Sequence, residues 1–344
     1  MTYIAEVVDL FCGIGGLSHG FKRAGFRVVG GFDVDQTCKF AFEHNNEAKL
    51  NVADVAELTA ADIHSCFTGK LPTVLAGCAP CQPFSKYKNR YGEDPRWNLV
   101  SRFADLAAEV FPDFVTMENV PQLLKYQDGH VFQYLCNRLK SSGYSVWFNV
   151  ENATNYGVPQ NRERLVLLAR KGGDIAFPVR TSQTTNVRDA ISHFPCLNAG
   201  ETDENDPMHK CSMLSSKNLK RIRASIPGGT WKDWPENLIT DCHKRKSGQS
   251  YGSVYGRMSW DKPSPTMTTQ CYGFGNGRFG HPDQDRAISL REAASLQSFP
   301  PDYQFVKQGE AVTMKTGGRW IGNAVPVKLA EGIGHGVRVS INGG

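Results

Sequence analysis

Over the first 170 residues, short apolar runs bounded by turn residues alternate with segments of helical period, and this alternation constrains the fold more than any other feature. Ala5–Phe11, Arg27–Phe32, Thr73–Gly77 and Phe114–Glu118 read as strands, with Leu17–Ala24, Gln36–Asn45 and Asn98–Val110 as the helices between them. Strands returning through helices pair in parallel with both faces covered, so the pattern predicts a doubly wound α/β sheet. Val131, Leu135 and Leu139 recur every four residues and predict a helix over His130–Ser142. Tyr144–Glu151 and Arg164–Arg170 follow as strands close enough to pair antiparallel.

From about Phe177 the texture changes to Pro, Gly, Ser, Asn and Thr, and helical period resumes only at Leu290–Ser298 and Val325–Val337. A chain of 344 residues exceeds the usual single domain. The expected division is an α/β domain from residues 1–177 and 287–344, on which the last helix packs back, and a second, smaller, irregular domain from 178–286.

No leader with a cleavage site and no membrane-length apolar run is visible, so the expectation is a cytoplasmic protein without a membrane partner. Ten cysteines scattered through a chain of this size read as reduced thiols. The net charge of +5 is mild, but between Lys217 and Lys262 ten Lys/Arg face four acids. Tryptophans, tyrosines and glycines interleave there, and the mixture suits a surface pressed against phosphates and bases as well as it suits a solvated face.

The first strand ends in Asp9-Leu10-Phe11-Cys12-Gly13-Ile14-Gly15-Gly16 and runs directly into a helix. Glycines let the backbone turn tightly against a ligand. A dinucleotide fingerprint would need its third glycine at Ser18, and a pyrophosphate disfavours the acid at Asp9. Asp9 suits the cationic methionine moiety of S-adenosyl-L-methionine better, and Asp33, ending the second strand, is placed to accept from ribose hydroxyls. Asp54 follows a short possible third strand and either accepts from an adenine amino group or caps a turn.

Strand Thr73–Gly77 delivers Cys78-Ala79-Pro80-Cys81-Gln82-Pro83, and the next strand delivers Glu118-Asn119-Val120 to the same edge. A thiol and a carboxylate converge where open α/β sheets bind ligands. Cys78-x-x-Cys81 has no second Cys/His pair at metal spacing, so no metal site is expected.

Pro80-Cys81-Gln82, Glu118-Asn119-Val120, Gln160-Asn161-Arg162-Glu163-Arg164 and Gly322-Asn323-Ala324-Val325-Pro326 resemble, in order and spacing, the motifs of the DNA cytosine-5 methyltransferase family. The opening glycine motif and Arg291–Pro300 match as well, which leaves only about 178–286 uncovered. The resemblance implies a Rossmann-like methyltransferase sheet with a target-recognition domain in that interval. It implies S-adenosyl-L-methionine as cofactor, S-adenosyl-L-homocysteine as product, and a cofactor site from Asp9, Phe11, Gly13, Gly15, Gly16, Asp33, Val34, Asp54, Pro80, Asn323 and Val325. Cys81, Glu118, Arg162 and Arg164 make the catalytic set. Cys81 adds to carbon 6 of cytosine, Glu118 meets ring nitrogen 3, and Arg164 takes the cytosine carbonyl and a neighbouring phosphate.

The target base must then be flipped out of duplex DNA, and the loop Ser85–Arg96, with Lys86, Lys88, Arg90 and Arg96, is the candidate lid. Further DNA contacts are expected from Arg221, Arg223, Lys244 and Arg245, and Trp231 and Trp234 add to a base-reading appearance. A cognate restriction endonuclease is a possible partner, and a monomer is expected. Competing readings are a transfer RNA cytosine-5 methyltransferase, a silent DNA-binding subunit and a nicotinamide oxidoreductase. Two departures from the family pattern are Cys12 and Cys78-Ala79, and Val34 stands where many relatives carry a large aromatic.

Overall fold

The computed structural model describes residues 3–80 and 98–343. By internal contacts the chain forms two compact units, one of residues 1–156, 163–182 and 325–344, the other of 157–162 and 183–324.

The first unit is built on a seven-stranded sheet in the order β3-β2-β1-β4-β5-β7-β6. The strands are β1 (Glu6–Leu10), β2 (Arg27–Asp33), β3 (Leu50–Val52), β4 (Thr73–Gly77), β5 (Phe114–Asn119), β6 (Tyr144–Asn152) and β7 (Glu163–Lys171). Between them lie α1 (Gly16–Arg23), α2 (Lys39–Asn46), α3 (Ala60–His64), α4 (Asn98–Val110) and α5 (His130–Ser141), with α11 (Val327–Asn342) returning at the end. β1 through β5 pair in parallel, whereas β7 runs antiparallel to both β5 and β6. Every residue of β1 and of β5 is buried, as expected of strands covered on both faces.

Helix α4 follows the expected period with Val100, Phe103, Ala104, Leu106, Ala107 and Val110 buried, and these join Leu135, Leu139, Leu75, Val115 and Leu167 in the main core. On another part of the unit, α11 lies close to α1. A Cβ on Gly20 would come within 2.3 Å of the Ala330 Cβ, so only glycine permits this approach.

The second unit has few regular elements: α6 (Val187–Ile191), α7 (Ser216–Arg223), α8 (Asp241–Lys244), α9 (Leu290–Leu296) and α10 (Met314–Asn323). Isolated bridges such as Gln160↔Ser264 and Arg257↔Gly280 hold its loops. It is larger than the 178–286 interval expected from texture, and the polar interior shows why. Arg286, fully buried, donates at 2.7 Å to both oxygens of Glu292 on α9, and Gln160 Nε2 donates to Gln297 Oε1 at 2.9 Å. A buried charge is tolerable only when paired, so these bonds commit the 287–324 stretch to this unit.

Candidate active site

Parallel pairing brings the carboxyl ends of β1, β2, β4 and β5 to one edge, and β1 stands where strand order reverses, the usual ligand crevice of such sheets. The loop after β1 is contorted to use that edge. Phe11 is left-handed at φ 60, as are Gly13 at φ 51 and Gly15 at φ 88. A left-handed phenylalanine costs about 1–3 kcal/mol, a strain that clusters at binding sites. The turn is tied to β2: the Gly13 N–H donates to Asp33 Oδ2 and the Asp35 N–H to Asp33 Oδ1, both at 2.8 Å. Asp33 is half-buried, and Val34 beside it is 65% exposed.

Asp9 is fully buried and accepts from Ser18 Oγ at 2.6 Å through Oδ2. Among the described residues its Oδ1 accepts no hydrogen bond. Burial, helped by the nearby Asp33 charge and opposed by the Ser18 hydroxyl, pushes the Asp9 carboxyl up to about 7. The same burial, with Asp9 and Asp33 close by, holds the Cys12 thiol well above its ordinary range. An orphaned carboxylate oxygen, a half-exposed second acid and a glycine turn with nothing within 4 Å of a Cβ at Gly13 fit a polar ligand carrying positive charge. Gly16 begins α1 and is buried. Asp54 is exposed and caps a turn, its Oδ1 accepting from the Ala56 N–H at 2.9 Å.

Glu118, the penultimate residue of β5, is 2% exposed. Cys78 Sγ donates to its Oε2 at 3.0 Å, and Arg164 Nε stands 2.9 Å from Oε1. Because β7 is antiparallel, Arg164 at its start meets β5 at its end, with Asn119 paired to Leu165 and Glu118 to Val166. The Arg164 contact is an ion pair without an aligned hydrogen bond, since Oε1 accepts none among the described residues. Next to this pair, Asn119 Nδ2 donates to the Ala79 carbonyl at 3.1 Å and binds the segment after β4 to β5. Pro80 follows, partly exposed.

Cys81, Ser85, Lys86, Lys88, Arg90 and Arg96 lie outside the described residues. Arg162, expected in the catalytic set, is buried and donates to the carbonyls of Met267, Gly322 and Ala324 at 2.8, 3.2 and 3.4 Å. Those bonds hold loops of the second unit together and give it a positioning role there. Arg221, expected on DNA, is also buried: it donates to the Leu238 carbonyl and Asn218 and lies over the rings of Trp234 and Tyr255. Trp231 and Trp234 are each 5% exposed, in a small core with Ile222 and Phe274, so they are not a base-reading surface. Arg223 is exposed but paired with Asp285 at 2.9 Å, whereas Lys244 and Arg245 are exposed. Asn323 ends α10, exposed, and Val325 is buried.

Sequence reasoning missed Ser18 and Cys78 as partners of the two buried acids. Ser18 was legible only as a missing glycine, and its place nine residues after Asp9, on the helix after the turn, was the usable signal. The described residues hold no cluster of His, Cys, Asp and Glu fit for a metal, nor a helix long and apolar enough to cross a membrane, and their nine cysteines are free.

Residues 5–338 match the family model for the C-5 cytosine-specific DNA methylase. The Type II methylase M.HgiDII of Herpetosiphon aurantiacus is 47% identical over 343 residues, covering 99% of this chain and 97% of that protein. The Type II methyltransferase M1.HphI of Haemophilus parahaemolyticus is 34% identical, covering 98% and 86%. Among solved structures, the S. pombe Dnmt2 methyltransferase superposes with a TM-score of 0.66 at 18% identity, covering 95% of this chain and 96% of its own. At that identity it speaks to the fold alone.

Proposed function

This chain belongs to the C-5 cytosine-specific DNA methylase family, and on that premise we propose that it methylates carbon 5 of a flipped-out cytosine in a specific duplex DNA sequence through a covalent Cys81 adduct. The observation that carries the reading is the buried Glu118 carboxyl, held between Cys78 and Arg164 at the carboxyl end of β5.

S-adenosyl-L-methionine, when bound, supplies an electrophilic methyl group on a sulfonium. Asp33 and the Phe11–Gly16 turn would hold that molecule, and Asp9 behind the turn would add negative charge when ionised. Carbon 5 of cytosine is a poor nucleophile, so the Cys81 thiolate first bonds to carbon 6 and drives the ring electrons toward carbon 5 and nitrogen 3. A protonated Glu118 hydrogen-bonds nitrogen 3 with one oxygen and accepts from the exocyclic amine with the other. Arg164, already beside Glu118, takes the cytosine carbonyl with its remaining donors. The electron pair at carbon 5 accepts the methyl group. Loss of the carbon 5 proton to water or hydroxide, with the nitrogen 3 proton returning to Glu118, then restores the ring and expels Cys81 as thiolate. None of these groups reaches a stacked base, which is why flipping is part of the proposal.

The second unit serves as the target-recognition body, with exposed Lys244 and Arg245 as phosphate contacts, and the basic sequence of Ser85–Arg96, before α4 in the chain, suits the covering loop. The Type II relatives favour service beside a cognate restriction endonuclease.

The test is incubation with radiolabelled methyl donor and either mixed duplex DNA or total transfer RNA, followed by bisulfite sequencing. Label at cytosines within one short recurring DNA sequence is expected, and Cys81→Ser should bind that DNA without methylating it. Label confined to RNA, or full activity in the serine variant, would sink the reading.

A further inference from the structure

Glu118 is the group on which the proposed chemistry turns, and among the described residues its carboxyl accepts one aligned hydrogen bond, from the Cys78 thiol to Oε2 at 3.0 Å. Arg164 attracts Oε1 across 2.9 Å without an aligned bond, so it supplies charge but little direction. The thiol is itself fixed. The Cys78 N–H donates to the Leu10 carbonyl at 3.2 Å, and Asn119 Nδ2 clamps the Ala79 carbonyl at 3.1 Å, so β1 and β5 both set the backbone that carries Sγ.

We infer that Cys78 is a positioning residue for the methylation reaction, its thiol fixing the rotation of the Glu118 carboxyl so that both oxygens meet the edge of the incoming cytosine. This rests on the function proposed above and adds a residue to it. The role needs a particular strength of donor. A carboxyl free to turn about its last bond meets nitrogen 3 and the exocyclic amine only in part of its range, and each misaligned bond is lost from the transition state. Arg164 already brings one positive charge to this carboxyl, so a donor that adds no second charge suits the exchange of a proton with nitrogen 3. A thiol is neutral and weak, so it orients Oε2 while leaving that oxygen a further lone pair.

The experiment compares Cys78→Ala, Cys78→Gly and Cys78→Ser with the wild-type chain in steady-state methylation of cognate DNA, with the melting temperature of each variant measured alongside. The two donorless variants should lose about fivefold in kcat, the worth of one ordinary neutral hydrogen bond. KM for DNA and for the methyl donor should change less than about twofold, because the bond acts on the transition state. Cys78→Ser retains a hydroxyl donor and should recover most of the lost kcat. On DNA carrying 5-fluorocytosine at the target, adduct formation should slow in the same order as kcat.

A folded Ala or Gly variant with wild-type kcat overturns the inference, as does a serine variant no better than alanine, which would make the thiol a matter of shape. A loss seen only in KM overturns it too. If the wild-type chain itself does not methylate DNA, the proposed function has failed instead, so the two failures are separable.

Discussion

Arg164 Nε stands 2.9 Å from Glu118 Oε1 because β7 runs against β5, so the first residues of one strand meet the last residues of the other. Glu118→Gln preserves the shape of the side chain but cannot donate a proton to the cytosine ring. Methylation should fall about 10²- to 10⁴-fold with little change in DNA affinity. Tritiated-methyl incorporation beside filter binding measures both, and an unchanged rate would remove Glu118 from the chemistry.

Asp9 makes stability depend on pH in an unusual direction. Its carboxyl sits at about 7 when folded against an ordinary 3.8, so between those values the folded chain holds a proton that the unfolded chain has released. Stability therefore falls as pH rises through that window and levels off above about 7. Asp9→Asn needs no proton, and its oxygen still accepts from Ser18. At pH 8 it should be more stable than wild type by on the order of a few kcal/mol, with the gap closing near pH 4. Urea midpoints at the two pH values decide it, and a gap that widens on acidification would contradict the burial argument.

Arg221 and the Lys244/Arg245 pair share charge but not environment, and salt titration separates them. Lys244→Ala with Arg245→Ala should weaken DNA binding and flatten its salt dependence by about one unit per lost phosphate contact. Arg221→Ala removes a buried guanidinium that braces the Leu238 carbonyl and two aromatic rings, so the loss should appear in the melting temperature. A changed salt slope with an unchanged melt would put Arg221 back on DNA.

Gly20→Ala places a methyl group within 2.3 Å of the Ala330 Cβ and 2.6 Å of the Val327 carbonyl oxygen. Overpacking of this kind costs about 1–3 kcal/mol, to be read by calorimetry. Wild-type stability would mean that the two helices part easily.

Most strands and helices of the first unit were legible because each apolar period has one dominant cause, burial against the sheet, but the single turn of α3 (Ala60–His64) is too short to show a period. Asn98–Val110 and Thr73–Gly77 fall where periodicity puts them. Helix α10 was invisible because Gly317, Gly318 and Gly322 interrupt its pattern; in the folded chain they admit Leu290, Tyr272 and the Thr268 backbone at distances no side chain allows. Arg221, Trp231 and Trp234 misled for the opposite reason. One core cluster of the second unit packs Trp231, Trp234 and Phe274 on Ile222 with the Arg221 guanidinium over two rings, and in sequence those residues look like a binding surface. The acids of the candidate site were readable from their places at strand ends. Their partners Ser18 and Cys78 were not, because a hydrogen bond between residues brought together by a turn or a sheet leaves no period behind.

Arg23 on α1 pairs with Glu331 on α11 across 308 residues of chain. During translation the helix behind the glycine turn therefore emerges early and waits, its face uncovered, until almost all of this sequence has been made. The contact order of this pair is high, so closing it is expected to be among the later events of folding.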